Sequence, residues 1–309
     1  MDPRRVGIIG GSGFYDLELF KPKQTVAIST PFGAPSSPLE IFEIGGREVV
    51  FLARHGKGHR ILPTEINNRA NLWALKKSGV EWIFSVSAVG SFKKEIQPMD
   101  LVLVDQFYDR TNQARKCTFF GDGLVAHISF ENPVCHELRR ILFEAGQEEG
   151  FGARLHWGGT YLNIEGPAFS SRAESVLHKS WGFDVVGMTN LLEAKLAREA
   201  ELCYATIAMV TDYDSWVDDK DKDLVNTDRV LQNIEKCIHA VRKIMARAVL
   251  NIPDQRKCGC DSALKDAIVT RKQFIPEQTL QKLDLIVGKY ISRSIHEDAT
   301  RAASRTDSG

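Results

Sequence analysis

The sequence predicts an α/β protein, and two patterns carry that expectation. Short β-rich runs alternate with amphipathic stretches of helical period, and many of the β runs are too apolar to leave one face in water. With 309 residues, 43% of them hydrophobic, the chain can bury one large core or two modest ones.

Strands are expected at residues 6–9, 25–28, 39–44, 49–53, 82–87, 101–104, 160–164, 185–187 and 204–210, each rich in β-branched, aromatic or other apolar side chains. Helices are expected at 66–77, 135–148, 171–179, 191–200 and 228–250. In the last, Val230, Ile234, Cys237, Ile238, Val241, Met245 and Val249 recur at helical spacing, while Lys236, Arg242, Lys243 and Arg247 take the other side. That stripe should pack on the sheet. After Asn251-Ile252-Pro253-Asp254 comes a cysteine-containing linker. Residues 263–268 and 280–291 follow, where Leu283, Leu285, Ile286 and Tyr290 suggest one more amphipathic helix, read as an appendage. The division expected is a catalytic domain at 1–253, a helical extension at 254–296 and a polar, frayed tail at 297–309.

Charge removes several function classes. Lys plus Arg and Asp plus Glu balance at 40 each, so no basic field exists to attract nucleic acid or an anionic membrane. No apolar run approaches the ~20 residues that span a bilayer. The start, Met1-Asp2-Pro3-Arg4-Arg5, runs into a strand with no apolar leader segment, and the expected location is cytoplasmic. Of the six cysteines, Cys117, Cys135, Cys203 and Cys237 stand alone in sequence. Cys258-Gly259-Cys260 would suit a strained redox pair, half of a metal site or two reduced thiols; no second Cys/His pair stands nearby at zinc-ligand spacing.

The chemistry gathers where the strands end. The first runs into Gly10-Gly11-Ser12-Gly13-Phe14. A dinucleotide fingerprint counted from Gly11 would need glycine where Asp16 stands, which leaves a small-anion loop using backbone N–H groups and the Ser12 hydroxyl. The run 49–53 leads into Arg54 and His55, a planar fork and a ring donor suited to phosphate, though each alone is more often a surface ion-pair residue. Small residues from Ser85 to Ser91, with Ser87 and Ala88 central, would let amides and hydroxyls touch the same anion. Phe169, after the Gly166-Pro167 bend, would stack on a flat base or fill a core. Met188 would pack against a sugar face and Thr189 would bind phosphate. Last, Asp212 and Asp214 stand two apart at a strand end, so both reach one pocket or one solvated turn. Two interacting carboxyls push their proton affinities apart, which suits one to donate to N7 of an adenine and the other to accept from its exocyclic amine.

Taken in order, six segments resemble the trimeric purine nucleoside phosphorylase superfamily, most of all its methylthioadenosine-cleaving branch. They are Gly7-Ile8-Ile9-Gly10-Gly11-Ser12-Gly13; Ala53-Arg54-His55-Gly56; Ile96-Gln97-Pro98; Asp105 to Thr111; Glu165-Gly166-Pro167 with Phe169-Ser170-Ser171-Arg172; and Thr211-Asp212-Tyr213-Asp214-Ser215-Trp216. The resemblance implies a phosphorylase/hydrolase-like fold, with a mixed, partly barrel-like sheet flanked by helices. It also implies phosphorolysis of S-methyl-5′-thioadenosine to adenine and 5-methylthioribose 1-phosphate, with phosphate as co-substrate and no metal or organic cofactor. By that resemblance Ser12, Arg54, His55, Ser87, Ala88 and Thr189 hold phosphate. Phe169, Ser170, Asp212 and Asp214 meet the base, with a protonated Asp212 at N7, and Met188 meets the sugar. Relatives that prefer 6-oxopurines carry Asn and Glu where this chain has Asp212 and Ser170. Thr227 stands where methylthio-specific relatives place valine, which leaves acceptance of a 5′-hydroxyl as an alternative, alongside 6-oxo nucleosides and simple hydrolysis. Ala168 replaces a common arginine. A homotrimer, alone or stacked in pairs, is implied as well, with His127-Ile128-Ser129-Phe130 of a neighbour closing each site.

Overall fold

The computed structural model describes residues 5–11, 22–217 and 227–291. Eleven strands form one mixed sheet. They are β1 (Arg5–Gly10), β2 (Gln24–Val26), β3 (Leu39–Ile44), β4 (Arg47–Ala53), β5 (Val80–Ser91), β6 (Leu101–Leu103), β7 (Gln106–Arg110), β8 (Leu155–Trp157), β9 (Thr160–Ile164), β10 (Val185–Gly187) and β11 (Cys203–Tyr213). Helices α1 (Asn68–Lys77), α2 (His136–Glu148), α3 (Arg172–Ser180), α4 (Asn190–Glu199), α5 (Thr227–Leu250) and α6 (Glu277–Val287) flank it.

The long strand β5 organises the sheet. Along one edge it pairs with β11 from Trp82 to Ser91. Along the other it pairs with β1 as far as Ser85, and then with β10 from Gly90. Among the described residues, positions 86–89 therefore have no ladder partner on that second edge. Such a point, where the sheet changes partner, is where α/β folds leave room for a ligand.

Side-chain alternation sends apolar groups to both faces. Val49, Phe51, Trp82 and Phe84 join one buried cluster with α2 and α5, which contributes Ile234, Cys237, Ile238, Val241, Met245 and Val249, most of the stripe read from the sequence. Val50, Leu52, Val80 and Ile83 join the opposite cluster with Leu72 and Leu75 of α1 and Leu196 of α4. Both faces of the central strands are thus covered, which explains their continuous apolar runs.

Several boundaries differ from expectation. Strand β7 was not foreseen, because Gln106, Tyr108 and Arg110 face solvent and leave only Phe107 and Asp109 half-buried. Strand β8, Leu155-His156-Trp157, was not foreseen either, because it buries only Leu155 and has no apolar run. The amphipathic helix expected within 280–291 is α6, which begins earlier at Glu277; residues 263–267 form turns, and Ile268 makes an isolated bridge with Ala126. The segment read as an appendage is part of the core: Leu264, Ile275, Leu283 and Ile286 lie in the same buried cluster as Leu72 and Leu75. The polar tail 297–309 lies outside the described residues. Among the described residues, no helix is long and apolar enough to cross a membrane.

Because Leu283 is 1% exposed, Leu283→Ala is expected to lower the unfolding free energy by about 2–5 kcal/mol. Urea unfolding should show one shifted transition. A separate early transition would mean that the extension melts independently of the sheet.

Candidate active site

A cavity of about 670 Å³ opens beside the partner switch of β5, and Arg54, His55, Ser87, Ala88, Phe169, Ser170, Met188, Thr189, Asp212 and Asp214 all line it. Ten of the twelve residues singled out in the sequence therefore meet at one place. Ser12 lies outside the described residues, and Thr227 opens α5 with its side chain outside them too.

The anion end starts from Arg54, directly after β4. Its guanidinium is 1% exposed. Nε donates to Glu193 Oε1 at 2.5 Å and Nη2 to Glu193 Oε2 at 3.1 Å, while Nη2 also reaches Ser85 Oγ at 2.7 Å and Nη1 reaches Val86 O at 2.8 Å. The last bond fills the carbonyl that the sheet leaves unpaired. The arginine fork is thus taken by Glu193 rather than presented to a ligand, which corrects the sequence reading of a two-oxygen phosphate clamp. Among the described residues, one Nη1 hydrogen has no acceptor. Burial opposes the Arg54 charge, but Glu193 outweighs it and raises the pKa above its ordinary value. Nη1 also faces Gly11, where any Cβ would lie 2.6 Å from it, so glycine is required for close approach.

His55 Nδ1 lies 2.7 Å from Ile61 O. A carbonyl only accepts, so Nδ1 carries the hydrogen. Burial first, and the Arg54 charge next, push the His55 pKa down to about 3. The ring is neutral at pH 7, its one N–H is committed, and Nε2 remains as an acceptor. His55 is therefore not the anion donor the sequence suggested. His59 stacks on it with ring centroids 4.3 Å apart.

Ser87 and Thr189 meet around Tyr161, whose hydroxyl lies 3.4 Å from Ser87 Oγ and 3.4 Å from Thr189 N. Thr189 is the N-cap of α4, and its side chain makes no cap hydrogen bond. The positive end of a helix dipole and the Thr189 hydroxyl therefore share the wall with Ser87, a combination suited to an anion.

The base end is built by an irregularity in β11. Val210 pairs with Val89 and Asp212 with Gly90, so Thr211 is an inserted residue. The bulge takes Asp212 out of register with Val210, which packs in the core against Val89 and Ile96. Thr211 Oγ1 donates to Asp212 Oδ1 at 2.6 Å. Asp214, 3% exposed, follows the strand end, and its N–H is fixed to Ser91 O at 3.0 Å. Both carboxyls crowd Gly90: a Cβ there would stand 3.3 Å from Asp214 Cβ and 3.4 Å from Asp212 Oδ2. Burial raises the Asp214 pKa, with Ser175 and Ser170 hydroxyls close by pulling it back. Among the described residues, Asp214 Oδ2 and Ser170 Oγ are buried without a hydrogen-bond partner. Burial is thus the cause of the raised proton affinity of Asp214, while Asp212 accepts from the Thr211 hydroxyl.

Phe169 is 48% exposed, which excludes the core reading and leaves its ring facing the cavity. Met188 closes over the bend, where a Cβ on Gly166 would meet its sulfur at 2.5 Å. Arg115, overlooked in the sequence, holds this corner through Nε to Glu165 Oε1 at 2.8 Å and Nη1 to Met188 O at 2.7 Å. Glu193, Asn190 and Tyr204 were overlooked as well. Glu193 sits in an apolar stretch, Leu191-Leu192-Glu193-Ala194, a signal of a paired buried charge that its position in a helical first turn disguised. Leu62, Leu231 and Ile234 add an apolar wall.

A sequence profile of the phosphorylase superfamily matches residues 5–250. The chain belongs to the phosphorylase superfamily. Among similar members, S-methyl-5′-thioadenosine phosphorylase of Koribacter versatilis is 53% identical over 285 residues, covering 92% of this chain and 96% of that one. A methylthioadenosine phosphorylase from an antarctic soil metagenomic library superposes with a TM-score of 0.85 at 42% identity, covering 93% of this chain and 99% of its own. Methylthioadenosine phosphorylase from Schistosoma mansoni in complex with adenine gives a TM-score of 0.80 at 39% identity, over 84% and 96%. This superfamily member thus matches solved relatives nearly end to end.

Removing one partner of the Arg54–Glu193 pair should leave an uncompensated buried charge, so Glu193→Ala is expected to destabilise the chain by about 3–5 kcal/mol in denaturant unfolding. Acid sensitivity follows from His55. Its folded-state pKa lies below the ordinary 6.5, so its contribution is complete above pH 6.5 and declines toward pH 3, by up to about 1.4 kcal/mol per pH unit. His55→Asn should show a shallower loss of thermal stability than wild type between those limits, and equal slopes would refute the assignment.

Proposed function

We propose that the chain catalyses phosphorolysis of S-methyl-5′-thioadenosine, giving adenine and 5-methylthioribose 1-phosphate. One observation carries the reading: an anion-suited wall and a buried carboxyl pair face one cavity, from strand positions Ser87 and Gly90 about 10 Å apart along β5. A ribosyl group fits between them, with phosphate at one end and the departing base at the other.

As the glycosidic bond stretches, the sugar becomes oxocarbenium-like, and bound phosphate stabilises it from the face opposite the base. Arg54 Nη1, the Ser87 and Thr189 hydroxyls, the Ala88 backbone and the α4 N-terminus hold the anion. Monohydrogen phosphate suits His55, since its O–H can donate to Nε2. At the base, Asp214 is the better proton donor to N7, and Asp212, with its carboxylate already bound by Thr211, is the better acceptor for the 6-amino group. These two roles exchange the ones expected from sequence. Phe169 stacks on the base, Met188 packs on the sugar, and Leu231 and Ile234 give the 5′-methylthio group an apolar slot. The steps so written need phosphate as co-substrate and neither a metal nor an organic cofactor.

We read the active unit as a homotrimer, single or stacked, in which residues 127–130 of a second copy cover the cavity mouth. Half-exposed Leu62, Phe169 and Leu231 at that mouth support a covering partner. Light scattering should give a trimer or hexamer, and a fully active monomer would overturn the assembly.

Methylthioadenosine, adenosine, inosine and guanosine, each assayed with and without phosphate, test the reaction. Methylthioadenosine should be cleaved fastest and only with phosphate; faster inosine cleavage or phosphate-independent adenine release would sink it. Asp214→Asn should lower kcat by about 10²–10⁴-fold, whereas Asp212→Asn should chiefly move preference toward 6-oxopurines. The reverse pattern would restore Asp212 as the acid.

A further inference from the structure

The fold assembles four thiols that sequence spacing does not connect. Cys135 is the N-cap of α2, Cys203 opens β11, and Cys258 and Cys260 flank Gly259 in the segment after α5. Their four Sγ atoms all lie within 4.8 Å of one another, with Cys203 and Cys258 at 3.3 Å. Three of the residues are buried and Cys258 is half-buried. All are free thiols, apart by more than the ~2.05 Å of a disulfide.

A tetrahedral zinc site with bonds of about 2.3 Å has sulfurs about 3.8 Å apart. That value lies between the 3.3 Å of Cys203–Cys258 and the 4.8 Å within which all four sulfurs fall. We propose that Cys135, Cys203, Cys258 and Cys260 form a closed tetrathiolate site for zinc. On binding, the four thiols release four protons and the metal takes one bond from each sulfur; no electron is transferred. The resulting centre carries a double negative charge, and cations stand beside it: Arg198 Nη1 lies 3.8 Å from Cys260 Sγ, and Arg256 faces Cys203. A cavity of about 340 Å³ lined by Cys135, Cys258, Cys260 and Arg198 gives a small cation a way in. An all-sulfur set selects a soft metal such as zinc over magnesium or calcium.

Four protein ligands leave no open position, so the role is structural. Cys203 and Asp212 stand nine residues apart on β11, about 30 Å at strand rise, so the metal sits at the far end of the strand from the carboxyl pair. It would pin the cysteine-bearing linker to the sheet and to α2, independently of the reaction proposed above.

The full-length chain, produced in zinc-containing medium and purified reduced without chelator, tests this by elemental analysis. About one zinc per chain is expected, with loss of that zinc in Cys258→Ser/Cys260→Ser. Cobalt loaded into apo protein should give sulfur-to-cobalt charge-transfer absorption and tetrahedral visible bands, a readout that stands even if the double variant fails to fold. A strong chelator should lower the melting temperature of wild type. Absence of zinc together with absence of the cobalt spectrum would overturn the proposal, as would zinc retained by the double variant. Fewer than six titratable thiols in denatured, unreduced protein lacking metal would replace it with disulfides.

Discussion

A guanidinium and a carboxylate that are each 1% exposed can share an interior only if they satisfy one another and their remaining hydrogen bonds. Arg54 and Glu193 do so with help from Ser85, Tyr204 and the Val86 carbonyl. The pair joins the end of β4 to the first turn of α4 and caps the edge where β5 changes partner. Nearly every group at the anion end depends on it. It fixes the guanidinium behind Gly11, sets the α4 N-terminus and Thr189 at the cavity wall, and supplies the positive charge that helps keep His55 neutral.

That arrangement divides the labour of the cavity. At one end, positive charge is held rigidly and shared out through single hydrogens, hydroxyls and a helix terminus, so an anion gains contacts without having to displace a salt bridge. At the other, a one-residue bulge delivers two carboxyls into a dry corner and treats them unequally. Asp212 receives a hydroxyl donor, and Asp214 holds a buried oxygen without a hydrogen-bond partner among the described residues. Unequal environments are how two like groups acquire different protonation at one pH.

Away from the cavity, the chain after α5 is integrated by packing on one side and by clustered sulfur on the other. Leu264, Ile275, Leu283 and Ile286 extend the core under α1 and α4, and Cys260 reaches the opposite cluster. The sheet therefore has both its faces and its C-terminal margin tied down, while the strand ends that carry chemistry remain open.

Local pattern determined a good deal. Apolar runs and helical stripes revealed nine of the eleven strands and the main helices, because burial on both faces of the central strands writes a continuous signal, and strand-end clusters marked ten residues that meet in the cavity. Strands β7 and β8 were not legible, since half-solvated β7 carries no apolar run and β8, Leu155-His156-Trp157, buries only Leu155. What only the tertiary structure decided was pairing across long separations: Arg54 with Glu193, His55 with Ile61 O, the bulge at Thr211, Arg115 with Met188, and Cys135 and Cys203 with the Cys258–Cys260 segment. Residue type states what a side chain can do. Which partner it finds, and hence which proton it keeps, depends on elements as much as 139 positions apart brought together by one buried sheet.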